Sequence, residues 1–152
     1  MLNNDVLRSL RYILNASDAQ MSEIAALGGC ATSEGEVRAW LKREDEDGYA
    51  ECPDPAMARF LDGLVYFKRG KDDSRPTPPL ELPVSNNQIL KKLRVAFELR
   101  DDDLQAILQA VDLPLSKSEL NALFRKPGHS NYRVCGDQLL RNFLKGLAQR
   151  EA

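Results

Sequence analysis

No apolar run in the 152-residue sequence is long enough to cross a bilayer, so a membrane-spanning helix is excluded as its organising element. The opening Met1-Leu2-Asn3-Asn4-Asp5 has neither the basic start nor the apolar stretch of a secretory signal, and the chain is expected to be cytoplasmic with no membrane partner. Cysteine is scarce. Cys30, Cys52 and Cys135 are odd in number and show no C-x-x-C or Cys/His ligand spacing, which argues against a disulfide framework and leaves no expected metal or cofactor. There is one histidine, His129, and a formal net charge of only −2, so nucleic-acid binding cannot be argued from overall charge. Period-two alternation of β-branched residues is absent, and with it any strand signal.

What is present is one pattern written twice. Tyr49-x-x-Cys52-x-Asp54-x5-Phe60-Leu61-x-Gly63-Leu64 recurs as Tyr132-x-x-Cys135-x-Asp137-x5-Phe143-Leu144-x-Gly146-Leu147, at a constant step of 83 residues. In the same register Asn3-Asn4 meets Asn86-Asn87, Leu10-Arg11 meets Leu93-Arg94, Asp18 meets Asp101, and Ser33 and Glu36 meet Ser116 and Glu119.

Each copy reads as four helices. Asn3-Asn4 is expected to cap the first, whose buried face is Val6, Leu7, Leu10, Ile13 and Leu14, matched by Ile89, Leu90, Leu93, Ala96 and Phe97. Ser17 or Asp18 opens a short second helix carrying Met21, Ile24, Ala25 and Leu27, which Gly28-Gly29 ends; Asp101, Leu104, Ile107, Leu108 and Val111 repeat it. Ser33-x-x-Glu36 and Ser116-x-x-Glu119 are capping boxes, so a third helix begins at each, burying Val37, Trp40 and Leu41 or Leu120, Leu123 and Phe124. Asp54 and Asp137 read as N-caps of a fourth helix, with Pro55 at its first position and Phe60, Leu61, Leu64 or Phe143, Leu144, Leu147 inward. Gly63 and Gly146 fall inside that helix at a cost of about 1 kcal/mol relative to alanine, and so mark close approach of another helix backbone.

These elements predict an all-α protein of two tandem four-helix repeats, residues 1–70 and 86–152, joined by a proline-rich linker over 71–85. A unit of roughly 65 residues leaves much apolar surface wet, so the repeats are expected to pack together or on a second chain. Extended at about 3.1 Å per residue, the linker would reach roughly 40 Å. The repeats differ in charge. Residues 3–70 hold 8 basic against 12 acidic side chains, and residues 86–152 hold 11 against 8. Opposite signs would favour docking of one repeat on the other.

The recurring Tyr49, Cys52, Asp54 and Arg11, with Tyr132, Cys135, Asp137 and Arg94, form a candidate site. Their structural reading is a buried small thiol, a tyrosine ring with its hydroxyl on a backbone group, and an arginine paired with a carboxylate. A catalytic reading would make Cys52 or Cys135 a nucleophile, but the counterpart of His129 in the first repeat is Glu46, so no Cys/His pair recurs. No catalytic residue is assigned. Glu44-Asp45-Glu46-Asp47-Gly48 suggests a calcium loop, yet placing Gly48 at the turn puts Arg43 where the first carboxylate ligand belongs. A second candidate is a stripe of Lys117, Asn121 and Arg125, four apart on one helix face, with Lys126, Lys91 and Lys92 in support. It suits a protein partner, or phosphates and base edges of DNA in a helix-turn-helix-like arrangement with an over-long turn.

The strings Asn3-Asn4-Asp5-Val6-Leu7-Arg8-Ser9-Leu10-Arg11-Tyr12, Trp40-Leu41-Lys42-Arg43-Glu44-Asp45-Glu46 and Phe60-Leu61-Asp62-Gly63-Leu64 with Lys68-Arg69-Gly70-Lys71 carry a resemblance to a known family. So do Asn86-Asn87-Gln88-Ile89-Leu90-Lys91-Lys92-Leu93-Arg94 and Cys135-Gly136-Asp137-Gln138. Across essentially its whole length the chain resembles the YehS-like family of small bacterial proteins, whose function is unassigned. The resemblance implies a cytosolic bacterial protein of two tandem helical repeats and brings no catalytic residue, substrate or cofactor. The expected function is therefore a non-enzymatic helical module that binds another macromolecule. Protein is the leading partner class, with a DNA-binding regulator acting through residues 116–126 as the alternative, a cysteine-dependent enzyme as a third class, and self-association left open.

Overall fold

A computed structural model describes all 152 residues as eight α-helices and no strands. Helices α1 (Asn3–Leu14), α2 (Asp18–Leu27), α3 (Glu34–Leu41) and α4 (Asp54–Arg69) form the first repeat. Helices α5 (Asn86–Ala96), α6 (Asp101–Gln109), α7 (Lys117–Leu123) and α8 (Asp137–Glu151) form the second. Each helix of the second repeat starts 83 residues after its counterpart, so the register of the sequence is also that of the fold. The chain divides into two compact units, Met1–Val84 and Ser85–Ala152.

Local chemistry sets most boundaries. Ser17, Ser33, Ser85 and Ser116 each accept a hydrogen bond from the backbone amide three residues on, while Gln20, Glu36, Gln88 and Glu119 reach back to the cap amide. Asn15 and Glu98, at matching positions after α1 and α5, both take the left-handed conformation, with φ of 51° and 55°. They reverse the chain into the next helix.

Four local expectations are corrected. Asn3 and Asn4 do not cap α1. They lie in its first turn behind Leu2, and their side chains are spent on tertiary bonds. Asp54 and Asp137 are the first residues of α4 and α8, behind Pro53 and Gly136 as caps, so Pro55 is second in its helix. Leu27 is exposed, because the face of α2 that packs inward is centred on Met21, Ile24, Ala25 and Gly28. Leu14, Phe97, Val111 and Phe124 are only half buried.

In the first unit, Val6, Leu7, Leu10, Met21, Ile24, Val37, Trp40, Met57, Phe60, Leu61 and Leu64 are buried together. The second buries Leu90, Leu93, Leu104, Ile107, Leu120, Leu123, Leu140, Phe143, Leu144 and Leu147. The glycine signal corresponds to a helix crossing in each repeat. A Cβ on Gly63 would lie 1.9 Å from the Ile24 carbonyl oxygen, and one on Gly28 would lie 1.8 Å from that of Arg59, so α2 and α4 cross backbone to backbone. In the second unit a Cβ on Gly146 would lie 2.6 Å from the carbonyl oxygen of Ile107, the counterpart of Ile24. Val111 stands where the first repeat has Gly28, and the crossing is looser.

The linker belongs to the first unit. Only Ser85, the cap of α5, falls in the second unit, and Val84 before it returns to the start of α4, where its amide donates to Asp54 Oδ2 at 3.1 Å. Since α4 is about 24 Å long at 1.5 Å per residue, residues 70–84 retrace that helix rather than using their full reach.

Candidate functional site

The recurring residues separate into two structural devices. The first is an asparagine latch. Asn4 Nδ2 donates to the carbonyls of Trp40 (3.0 Å) and Ala50 (2.8 Å), and its Oδ1 accepts from the Cys52 amide (3.0 Å). Asn87 makes the same three bonds, to Leu123 (3.0 Å), Arg133 (2.8 Å) and Cys135 (2.9 Å). Both asparagines are buried, and their amides tie the first helix to the end of the third and to the chain entering the fourth. Asn3 and Asn86 add a second layer. Each Nδ2 donates to a cysteine carbonyl at 3.0 Å and an aspartate Oδ1 at 2.8 Å, Cys52 and Asp54 in one unit and Cys135 and Asp137 in the other.

The second device is an ion pair elsewhere in each repeat. Arg11 binds Asp18 at 3.0 Å and Arg94 binds Asp101 at 2.8 Å, joining the first and second helices. The arginines therefore do not converge with the Tyr, Cys and Asp residues. The Tyr49 hydroxyl, expected on a backbone group, is buried without a hydrogen-bond partner, and desolvation first, then Glu44 and Glu51, raises its pKa.

Burial dominates the thiols. It pushes Cys52 up to about 12 and Cys135 up to about 11, and each Sγ rests on the next carbonyl, at 3.6 and 3.7 Å. Such thiols are neutral at pH 7 and are poor nucleophiles. Cys30, half buried, is also raised, chiefly by burial. No group of three or more His, Cys, Asp or Glu side chains is placed to hold a metal ion. No helix is long and apolar enough to cross a membrane.

Lys117 and Asn121 lie on the exposed side of α7, but the helix ends at Leu123, so Arg125 follows in the turn beyond it rather than on the expected helix face. The three border an open cleft of about 730 Å³, closed on the far side by Asn131 and Arg133. A second cleft of about 430 Å³ continues around the end of α7 past Phe124, Lys126 and His129. Lys91 and Lys92 on α5 line neither. Within this face some charges are already committed. Glu119 caps α7 through Ser116, which holds its carboxyl below the usual range, and binds Arg133 at 3.6 Å. Arg94 lies 4.6 Å over the Phe124 ring while holding Asp101. Lys117, Arg125 and Lys126 have neither an ion pair nor a side-chain hydrogen bond.

The same face of the first repeat differs in that its cations are occupied and an acidic loop follows it. Glu34 replaces Lys117, Arg38 replaces Asn121, Lys42 replaces Arg125, and Gly48 and Ala50 replace Asn131 and Arg133. Arg38 is taken up by Glu34 (2.9 Å) and Asp18 (3.6 Å), and Lys42 Nζ donates to the Asp47 carbonyl at 2.7 Å. Glu44, Asp45 and Asp47 project from this loop, exposed and without a cation. Asn131 and Arg133 escaped the sequence reading. Their charge or polarity against Gly48 and Ala50 at aligned positions was the signal that pointed to them.

Over residues 3–70, and again over 86–151, the sequence matches the family described as "Protein of unknown function (DUF1456)". It is 48% identical over 151 residues to "Uncharacterized protein YehS" of Escherichia coli (strain K12), covering 99% of this chain and 97% of that relative. No solved structure matches it.

Proposed function

Because the chain belongs to the DUF1456 family, whose description assigns no activity, we propose a function from its geometry: a non-enzymatic helical module that binds an acidic protein segment in the cationic cleft around α7. The observation that carries this reading is where the two repeats diverge. Latch, ion pair and core recur, whereas the outer segments differ in charge. Residues 34–50, α3 with the loop after it, hold 3 basic against 6 acidic side chains, and residues 117–133, α7 with its loop, hold 4 against 1, with Lys117, Arg125 and Lys126 outside any ion pair. A surface that keeps Lys117, Arg125 and Lys126 unpaired beside a cleft is suited to a partner carrying carboxylates. Lys117 and Arg125 bracket a helix about 10 Å long, the span of about three residues of extended chain. The buried, neutral thiols support the non-enzymatic part.

Duplex DNA is the second reading, favoured by Asn121 on the exposed side of α7 between Lys117 at its start and Arg125 just past its end. Against it, α3 presents Glu34 and Glu36 where a tandem reader would need a second cationic helix. Titrating a fluorescent glutamate-rich peptide and a random duplex in parallel, at low and moderate salt, separates the readings. The peptide should bind, and Lys117→Glu with Arg125→Glu should weaken it by about tenfold or more. Binding of the duplex alone, lost on the same reversal, would transfer the cleft to DNA. Binding of neither would sink both.

A further inference from the structure

We propose that the occupant of the α7 cleft is the acidic loop Glu44–Asp47 of a second copy of this chain, so that the protein self-associates through unlike surfaces. This rests on the reading of the cleft given above and names its partner. The two surfaces are complementary in charge and in state of preparation. On one side stand Lys117, Arg125 and Lys126, unpaired. On the other stand Glu44, Asp45 and Asp47, exposed and unpaired.

The loop is also held in one shape. The Glu46 amide donates to the Arg43 carbonyl at 3.0 Å, Glu46 Oε1 accepts from the Arg43 amide at 3.0 Å, and Lys42 Nζ ties down the Asp47 carbonyl. Glu46 is therefore spent on the turn while its three neighbours point out. A loop fixed before docking loses little conformational entropy on binding, which is the usual cost of an electrostatic contact made by flexible side chains. Each chain carries one loop and one cleft, so each junction joins different patches of the two copies, and in a two-fold pair the junction occurs twice.

Sedimentation velocity on the full chain, from about 0.05 M to about 0.5 M salt, tests this, since contacts between exposed charges weaken as the screening length shortens. The wild type should associate at low salt and dissociate as salt rises. Two variants should be monomeric alone: the cleft reversal Lys117→Glu with Arg125→Glu, and the loop neutralisation Glu44→Gln, Asp45→Asn, Asp47→Asn. Mixed together they should pair, because one keeps the loop and the other keeps the cleft. Circular dichroism matching wild type excludes loss of fold as the cause of either monomer. A wild type that stays monomeric at every salt, an oligomer that survives both variants, or a mixture that fails to pair would overturn the proposal. If the monomeric wild type still binds the glutamate-rich peptide through Lys117 and Arg125, the cleft keeps its function and only the second copy is lost as its partner.

Discussion

The two repeats share their interior bonds and differ in their surfaces, and the contrast separates what the fold needs from what the molecule does with it. The asparagine latch is reproduced to within a tenth of an ångström at every bond. The crossing of the second and fourth helices is kept but relaxed, with Gly28 and Gly63 in one repeat and only Gly146 in the other. The outer face of α3 and α7 keeps its capping box and the cations at Lys42/Arg125 and Arg43/Lys126 but changes elsewhere, Glu34 to Lys117 and Ala50 to Arg133. A buried amide that loses its partners costs far more than a surface charge that changes sign, so duplication freed the second class of positions and held the first.

That ordering gives predictions of decreasing size. Asn4→Ala and Asn87→Ala should each cost about 4 kcal/mol in their own repeat, since two carbonyls and an amide are stranded. Urea unfolding followed by Trp40 fluorescence for the first repeat, and hydrogen exchange for both, would read this. Markedly unequal costs would mean that the latches are not equivalent. The crossing should behave unequally. Gly63→Ala places a methyl group on the Ile24 backbone and should cost about 3 kcal/mol, whereas Gly146→Ala, partly offset by about 1 kcal/mol of helix propensity, should cost about 1.

The thiols sharpen the contrast at alkaline pH. A raised thiol pKa in the folded state means stability that is complete below the ordinary value of 9.0 and is lost as pH rises towards the folded value. Both repeats should begin to weaken near pH 9.0 with the same slope; the loss should level off near pH 11 for Cys135 and continue towards 12 for Cys52, and Cys52→Ala should remove that excess from the first repeat. At neutral pH a thiol reagent should label Cys30 first.

The smallest effect lies at acid pH. Asp103 is held below the usual carboxylate range by the Arg100 amide and, less, by Arg150, so its contribution is present above about pH 4 and fades as pH falls through the depressed value. Its counterpart Gln20 does not titrate. Acid should therefore loosen α6 before α2 in hydrogen exchange, and Asp103→Asn should level the two.

Much of this was legible in the sequence because a constant 83-residue register repeats every cap and core position, and two concordant readings of one helix constrain each other. The capping boxes and the glycine crossings were read from it directly. Asn3-Asn4 was misread because asparagine before an apolar run is also a helix cap. Its true role depends on Cys52, nearly fifty residues away, and long-range pairing leaves no local trace. The α7 stripe was visible from its spacing of four, but the cleft was not, since Asn131 and Arg133 arrive from a loop whose path depends on the Arg133 amide bonding to the Ala122 carbonyl at 3.0 Å. Cys52 and Cys135, read from their place before a helix as small buried thiols with a nucleophile as the weaker alternative, are both buried.

The latch also bears on how the chain is made. Asn4 and Asn87 reach forward across 36 to 48 residues and find every partner within their own repeat. A ribosome delivers the N-terminus first, so Asn4 waits with its amide in water until Cys52 has been added and α4 follows. From that moment the first repeat owns everything it needs to close, while the second is still being translated. The second repeats the sequence of events with its own asparagine, Asn87, and its own cysteine amide, Cys135.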